Sequence, residues 1–287
     1  DPAFDPYYKN QWHLRSTGIL TNNINNVKTI VGNDLDLLEV QRSYMGYNGG
    51  NYIAVQIVDS GVEAAHEDWS QNMDLSLSRN AMHEANATLY PDQNNPTPTK
   101  AVNDTTEAGA PMGVGHGSAC AGIIAARGFN AKGVRGIAPF AKISGSNWLE
   151  YQSISALEAI WLVPDKADLN ITVSNNSWGN KVGNYDHETT LAYDAILNKG
   201  ASLRSGKGRV YLFAAGNSRE NNRDAKLDAP ASHKYSITVA ALDYNNSYAP
   251  YSNPGANLWL SGYAGSYYQE TPTIATTLLT DKSKRIG

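Results

Sequence analysis

The sequence predicts an α/β fold with a mostly parallel central sheet and helices on both of its faces. The chain has 287 residues, of which 41% are hydrophobic and 17% charged, enough for one large domain with a sizeable core. Short apolar, β-branched runs alternate along it with helical segments. Strand, helix and strand in that order are typical of parallel sheets that are covered on both sides.

The elements can be placed from apolar runs and from the residues that end them. Helices are predicted to begin at His116, to end before Pro164 and to end at Gly200. The first carries small side chains, the second spans 153–164 and the third spans 187–200. Segment 87–113, rich in Pro, Asn and Thr, is predicted to be an irregular surface loop. Strands are predicted over 51–61, 141–149, 169–179, 208–218 and 235–243.

Charge and cysteine content exclude several classes of function. The net charge is −4, from 23 basic and 27 acidic residues, which does not favour binding to nucleic acid or to anionic membranes. No apolar run is long enough to span a bilayer. The single cysteine, Cys120, excludes an internal disulfide framework and leaves the compartment open. The start DPAFDPYYKN lacks the features of a signal peptide and is expected to be a mature or trimmed start.

Three polar residues mark the predicted site. Asp59 and Asn217 each end a predicted strand, and His116 begins a helix between two glycines. Functional groups gather at the carboxyl ends of parallel strands. An Asp that holds a His, and an Asn aimed at a developing oxyanion, are parts of acyl-transfer chemistry. Caps or Asx turns remain alternatives for Asp59 and Asn217, as does a buried helix that happens to carry a His.

Several motifs together resemble those of one family. The stretches VDSGV, HGSACAGIIAA, GVRGIAP, NNSWG and AAGN resemble, in the same order along the chain, motifs of the subtilisin-like serine proteases. The start DPAFDPYYKNQWHL resembles the opening of the kexin and furin branch. The resemblance implies a subtilisin-like three-layer α/β fold and hydrolysis of peptide bonds by an Asp-His-Ser triad. It also implies a secreted, periplasmic or cell-surface protease that is made as a zymogen.

The resemblance assigns roles to individual residues. Asp59 would orient the imidazole, His116 would act as general base and then as general acid, and Asn217 would stabilise the oxyanion. Substrate contacts would comprise one wall of the specificity pocket (Ser177, Trp178, Gly179), an edge strand that pairs with the substrate backbone (Ser146, Asn147, Trp148) and two cleft carboxylates (Glu150, Asp228). The carboxylates favour a basic residue before the cut, whereas SWGNKVGN lacks the acid expected for a strict dibasic preference.

The resemblance also implies structural Ca²⁺. The matching ligands are two acidic side chains, one amide side chain and backbone carbonyls of a loop: Asp1, Asp68, Asn130, Gly128, Lys132 and Val134. Simple turn roles for Asp68 and Asn130 are the alternative. A second, partial match lies at Asp224, Asp228 and Asn253.

One part of the family pattern is missing. No Gly-Thr-Ser occurs in the chain, which ends in TDKSKRIG after a strand-like TPTIATTLL. We therefore expect 1–287 to be an incomplete catalytic domain, with the serine helix and any β-rich accessory domain beyond Gly287. A nick in the basic loop, a mobile loop and an accidental end remain alternatives. Without that helix, the apolar strand Val210 to Ala215 is expected to be open to water.

The expected partners are polypeptide substrates, a propeptide or chaperone-like inhibitor, and the C-terminal remainder of the same protein. The rival hypothesis is a catalytically dead scaffold that binds a peptide or a protein. A nucleotide-dependent enzyme is less favoured, because VDSGVEAAH is not a Gly-rich phosphate loop.

Overall fold

A six-stranded sheet, parallel throughout its ladder, forms the centre of the protein. The computed structural model describes residues 5–21, 26–48, 51–99, 115–166, 168–179, 187–265 and 271–280. The sheet strands are β5 (Ala54–Val58), β6 (Lys142–Ser146), β7 (Ile171–Asn176), β8 (Val210–Ala214), β9 (Ser236–Leu242) and β10 (Leu258–Tyr263). Their spatial order is β10-β9-β8-β7-β5-β6, and each neighbouring pair is parallel.

The remaining elements are short strands and helices. Two small antiparallel pairs join β1 (Ile19–Thr21) to β2 (Asn26–Lys28) and β3 (Tyr47–Asn48) to β4 (Asn51–Tyr52). The helices are α1 (Leu38–Ser43), α2 (Ala81–Ala85), α3 (His116–Ala125), α4 (Ile154–Trp161), α5 (His187–Gly200) and α6 (Leu203–Gly206).

Strand β5 shows how the layers form. All five of its residues are buried, because one face meets α3 and the other meets the α4–α5 side. Val55 and Ile57 pack in one cluster with Ala121 and Ala125 of α3, where small side chains allow a close approach. Val58 points to the other cluster, which contains residues of α4 and α5. The predicted three-layer α/β architecture is confirmed.

Two segments differ from the sequence-based prediction. Strand β10 has no counterpart among the predicted strands, although it begins with three apolar residues, Leu258, Trp259 and Leu260; residues 259–261 are exposed. Conversely, the strand-like TPTIATTLL, residues 271–279, contains no assigned strand. This segment runs beside α3 instead, where Thr276 Oγ1 donates to the Ala119 carbonyl at 2.6 Å and Thr277 Oγ1 donates to the Ser118 carbonyl at 3.0 Å.

The expected exposure of strand β8 is only half right. Tyr211 and Phe213 are buried in the core that contains α4 and α5. Leu212 and Ala214, on the other face of the strand, are half-buried and line a cavity of about 340 Å³. Alternation along the strand explains the difference, because successive side chains point to opposite faces of a sheet.

Candidate active site

Asp59 and His116 form a hydrogen-bonded pair at the carboxyl edge of the sheet. Asp59 directly follows β5 and is fully buried. His116 is the first residue of α3, and its Nδ1 lies 2.8 Å from Asp59 Oδ1 and 3.0 Å from Oδ2. The Ser60 backbone N–H donates to Asp59 Oδ1 at 2.7 Å, which fixes the carboxylate. Because Nδ1 faces Asp59, Nε2 is the ring nitrogen that is available for proton transfer.

The carboxylate sets the basicity of the imidazole. Asp59 raises the pKa of His116 well above 6.5; Cys120 adds to this rise, whereas burial opposes it. Cys120 Sγ lies 3.9 Å from both His116 Nδ1 and Asp59 Oδ2. The arrangement favours an imidazole that accepts a proton readily, as a general base requires.

Gly117 explains why glycine follows the histidine. A Cβ at Gly117 would collide with the Gly61 carbonyl oxygen and would lie 2.9 Å from Asp59 Cβ. Gly115, on the other side, has room: a Cβ there would lie 3.6 Å from Leu279 Cγ. Only the second of the two glycines is therefore required for α3 to approach β5 closely enough to place His116 on Asp59.

The two serines beside the pair have structural roles. Ser60 Oγ accepts a hydrogen bond from the Gly117 N–H at 3.1 Å. Ser118 is fully buried, and its Oγ accepts from the Glu63 N–H at 3.0 Å. Neither hydroxyl is presented to His116 Nε2 by these contacts.

Asn217 lies at the same edge of the sheet, at the end of a strand that is two positions away from β5. It follows β8, which is separated from β5 by β7, so the two strand ends are roughly 10 Å apart at the usual strand spacing. Its side chain is exposed, and it lines the 340 Å³ cavity together with Ser177 and Ala264. The structure thus brings Asn217 to the same edge as Asp59 and His116.

Residues 177–179 leave β7 along this edge. Trp178 Nε1 donates to the Val58 carbonyl at 2.9 Å, and its ring packs 4.5 Å from that of Trp148. Trp178 therefore anchors the segment to the end of β5. Gly179 lies directly on Asp228, since a Cβ at this position would collide with Asp228 Oδ2. Asp228 is thus in direct contact with the segment 177–179.

The predicted free edge at residues 146–148 is not found in the structure. The Ser146 carbonyl accepts from the Asp59 N–H at 3.1 Å, the Asn147 carbonyl from Glu150 at 3.0 Å and the Trp148 carbonyl from Tyr151 at 3.0 Å. Two bridges, Met73 to Ile143 and Arg79 to Ser146, also cover the outer side of β6. The chain turns into a 3₁₀ helix at Trp148–Glu150, so these carbonyls are used within the fold.

Glu150, predicted as a cleft carboxylate, is held by internal donors. It accepts from the Thr99 N–H at 2.9 Å, from Thr99 Oγ1 at 2.8 Å and from Asn147 Nδ2 at 3.1 Å. Asn147 is itself buried, and its Oδ1 accepts from the Ala81 N–H at 2.7 Å. The amide of Asn147 therefore caps α2 and is not directed to a substrate.

The predicted calcium loop wraps around a buried carboxylate. Asn130 Nδ2 donates to Asp68 Oδ1 at 3.0 Å, and the Val134 N–H donates to Asp68 Oδ2 at 2.9 Å. Gly133 gives the loop room, because a Cβ there would collide with Asp68. Burial raises the pKa of Asp68, and the neighbouring carboxylate of Asp5 adds to the rise.

The N-terminal acid in this site is Asp5. Asp1 lies outside the described residues, whereas Asp5 is fully buried and its Oδ1 accepts from the Asn130 N–H at 3.3 Å. Arg135 Nη2 lies 2.6 Å from Asp5 Oδ2 and offsets one of the two acidic charges. A hard cation would offset the other, and carboxylate oxygens are ligands that Ca²⁺ takes. Asn130 directs its amide N–H at Asp68, and its Oδ1 accepts from the Lys132 N–H at 3.0 Å. The second Asp-Pro of DPAFDP is the sequence signal that points to Asp5.

The partial second match has local partners. Asp224 Oδ1 accepts from the Lys226 N–H at 2.9 Å, and Lys226 Nζ lies 3.7 Å from Asp224 Oδ2. Asn253 Oδ1 accepts from the Ser218 N–H at 2.8 Å. These contacts are those of turns and caps, and a cation at this place stays a prediction.

Comparison with known proteins decides the family. The sequence model of the subtilase family matches residues 50–283. The chain belongs to the subtilase family. The match includes Asp59, His116 and Asn217, which the structure brings to one edge of the sheet.

Individual subtilases resemble the chain over most of its length. An extracellular serine protease of Aeromonas sobria is 29% identical over 96% of this chain and 43% of that protein. Kexin of Saccharomyces cerevisiae is 29% identical over 86% of the chain and 26% of its own length. A calcium-dependent protease of Trichormus variabilis is 28% identical over 90% and 34%, respectively. The chain spans less than half the length of these curated relatives.

Solved structures agree with this assignment. The serine protease of Aeromonas sobria superposes with a TM-score of 0.73 at 27% identity, covering 96% of this chain and 46% of that one. A cold-adapted subtilisin-like proteinase, at 19% identity and a TM-score of 0.52, covers 82% of this chain and 73% of its own, and shares the fold. No helix among the described residues is long and apolar enough for a bilayer crossing.

Proposed function

We propose that the protein is a serine endopeptidase in which Asp59 and His116 are two members of the catalytic triad. The observation that carries the proposal is the 2.8 Å contact between Asp59 and His116 Nδ1, at the edge where Asn217 also lies. Family membership and relatives named as serine proteases support it. The scaffold alternative is not favoured, because it gives no reason for these three residues to share one site.

Each of these residues then has a distinct role in the reaction. His116 Nε2 accepts the proton of a serine hydroxyl as that oxygen attacks the peptide carbonyl, and the proton later passes to the leaving amine. Asp59 stabilises the imidazolium that forms in between. Asn217 donates its side-chain N–H to the oxyanion, and one such donor contributes about 3–4 kcal/mol to transition-state stabilisation. Neither Ser60 nor Ser118 is assigned as the nucleophile, since both hydroxyls are used in the fold.

The specificity proposed is a basic residue immediately before the cut. Asp228 supports it, because its carboxylate lies against Gly179 at the wall formed by 177–179. A lysine or arginine in the pocket would pair with this partly buried acid.

The decisive experiment uses the full-length protein with peptide substrates. His116→Ala is expected to lower kcat by several orders of magnitude while the protein stays folded. A serine-directed phosphonate is expected to abolish wild-type hydrolysis. The matched control is His83→Gln, because His83 contacts the Tyr90 carbonyl and not the site. Equal hydrolysis by wild type and folded His116→Ala would contradict the proposal.

A structural calcium ion at Asp5, Asp68 and Asn130 is proposed as well. The buried, charge-unbalanced carboxylates support it, and two relatives are named calcium-dependent proteases. Chelation is expected to lower the unfolding temperature of the wild type, because a ligand at 100 times its Kd adds about 2.7 kcal/mol. Asp68→Asn should lose this response. An unfolding temperature that ignores the chelator would argue against the site.

The relatives suggest partners and location. The Aeromonas protease is named extracellular, and one solved structure holds it in complex with a chaperone. We extend both features to this protein as proposals: it acts outside the cytoplasm, and a propeptide or chaperone-like protein occupies its cleft before activation.

A further inference from the structure

A loop lies directly on the strand ends beside the Asp59–His116 pair. We call residues 96–99 the cleft loop. The Val62 N–H donates to the Pro96 carbonyl at 2.8 Å, and the Ala64 N–H donates to Thr97 Oγ1 at 3.1 Å. A Cβ on Gly61 would lie 2.8 Å from Pro98 Cγ, so the loop is in close contact with the chain just after Asp59.

The chain that leads into the cleft loop is tied down as well. The Asn80 N–H donates to the Gln93 carbonyl at 2.8 Å, and Asn80 Nδ2 donates to the Asp92 carbonyl at 3.1 Å. Pro96 and Pro98 are buried and restrict the backbone, because the proline ring fixes φ. The loop is thus a built surface at the β5–β6 side of the site.

Glu150 holds the last residue of the cleft loop, Thr99. Its carboxylate takes three side-chain and backbone donors, two from Thr99 and one from Asn147. The Leu149 N–H, next in the chain, donates to the Asp59 carbonyl at 3.0 Å. The cleft loop is therefore linked through Glu150 and one peptide unit to the residue that orients His116.

We propose that Glu150 is a positioning residue, which holds the cleft loop as a fixed wall of the substrate cleft instead of binding a basic side chain. This inference rests on the proposed function and deepens it. Asp228, in contact with the segment after β7, and Glu150, just after β6, flank the end of β5, where Asp59 lies. Asp228 alone then recognises the basic side chain of the substrate. The enzyme therefore cuts after a single basic residue and does not require a pair of basic residues.

Two peptides test the proposal in the full-length enzyme. They carry the same basic residue at the cut and differ only in the residue before it, which is Lys or Ala. The wild type is expected to hydrolyse both with similar kcat/KM. Glu150→Gln has one acceptor where Glu has two, and Thr99→Val lacks a donor. Each should raise KM by about tenfold, equally for the two peptides. Thr99→Ser should restore wild-type values.

A direct substrate role for Glu150 gives a different result. In that case Glu150→Gln would lower kcat/KM for the Lys peptide only, and Thr99→Val would change neither; this pattern would overturn the proposal. Glu158→Gln is the matched control, since Glu158 pairs with Lys199 on the outer surface.

Hydrogen exchange separates this proposal from the proposed function. Amide protection over 93–99 is expected to fall about tenfold in Glu150→Gln and not in Glu158→Gln. Unchanged protection would overturn the positioning role, whether or not the protein is active. Failure of the wild type to cut either peptide would instead overturn the proposed function, and exchange alone would then decide whether Glu150 holds the loop.

Discussion

The two halves of the carboxyl edge of the sheet are held in different ways. On the β5–β6 half, Asp59 and Glu150 take several hydrogen bonds, and Gly117 and Gly61 allow close backbone contact. On the β8–β10 half, Asn217 is exposed and a cavity of about 340 Å³ lies between apolar residues. Trp259, on the edge strand β10, is 70% exposed.

His116 and Asn217, the proposed base and the proposed oxyanion donor, are therefore held in different ways. Hydrogen bonds within the first half fix His116 before a substrate arrives, which is the condition for electrostatic catalysis without reorganisation. On the β8–β10 half, half-buried apolar side chains surround the cavity, and the exposed side chain of Asn217 is part of its lining. Substitutions that enlarge a buried side chain should therefore cost more stability on the β5–β6 half than on the β8–β10 half.

The largest expected effect comes from Asp59→Asn. The shape of the side chain stays, but an amide cannot stabilise the imidazolium and favours the wrong tautomer of His116. We expect kcat to fall by about 10⁴ in the full-length enzyme. A fall of less than about tenfold would show that the contact does not serve catalysis.

The same contact predicts the pH profile of the wild type. Because Asp59 raises the pKa of His116, the neutral base is lost as the pH falls through a value above 6.5. The acid limb of kcat/KM should therefore lie above pH 6.5. The effect of the pair on folding stability runs the other way with pH. A raised pKa of His116 in the folded state stabilises the fold at low pH, and this stabilisation is lost as the pH rises through that pKa. An acid limb below pH 6.5 would contradict this geometry.

Gly117→Ala tests the close packing of the β5–β6 half. The added methyl meets backbone atoms of Gly61, which cannot move without shifting the chain after Asp59. We expect a loss of about 1–3 kcal/mol in the free energy of unfolding, with reduced activity. Gly115→Ala is the matched control, because its methyl would meet Leu279 at an ordinary 3.6 Å. Equal effects of the two substitutions would contradict the comparison.

The sequence predicts the parts of this site that follow from local pattern. Asp59 ends a buried run and His116 starts a helix of small residues, and both features can be recognised without knowing the fold. The partnership of Asp5 with Arg135 cannot be predicted in this way, because it joins residues 130 positions apart. The same holds for Glu150 and Thr99, since any surface acid has the same local sequence signal as one that is fully hydrogen-bonded.

The N-terminal segment contacts the chain beside α3 and also β10, where the ring of Trp12 packs edge-on against Tyr263 at 5.2 Å. Trp12 Nε1 donates to the carbonyl of Thr273, in the segment beside α3, and the ring of His13 lies edge-on to Trp12. His13 is 2% exposed, and neither ring nitrogen has a hydrogen-bond partner among the described residues. Burial lowers its pKa from 6.5 to about 4. The support that His13 gives should therefore depend on pH.

The direction of this pKa shift fixes the sign of the effect on stability. Above pH 6.5 the residue is neutral in both states and its contribution is complete. As the pH falls from 6.5 towards 4, the unfolded chain binds a proton that the folded chain does not, so up to about 3 kcal/mol of stability is lost. Unfolding by urea at several pH values measures this loss. His13→Phe should flatten the slope, and an unchanged slope would assign it to other groups.

The smallest expected change in stability comes from a substitution on the β8–β10 half. Gly262, in β10, lines the cavity, and a Cβ there would lie 3.8 Å from Val239 Cγ1, an ordinary contact. Glycine within a strand costs about 0.5–1 kcal/mol relative to alanine, because it has more freedom to lose on folding. Gly262→Ala should therefore be neutral or raise the free energy of unfolding by about 0.5 kcal/mol, in contrast to the loss from Gly117→Ala. Urea unfolding of both variants under one condition measures the contrast. If Gly262→Ala lowers the free energy of unfolding by more than about 1 kcal/mol, the β8–β10 half is packed as tightly as the β5–β6 half.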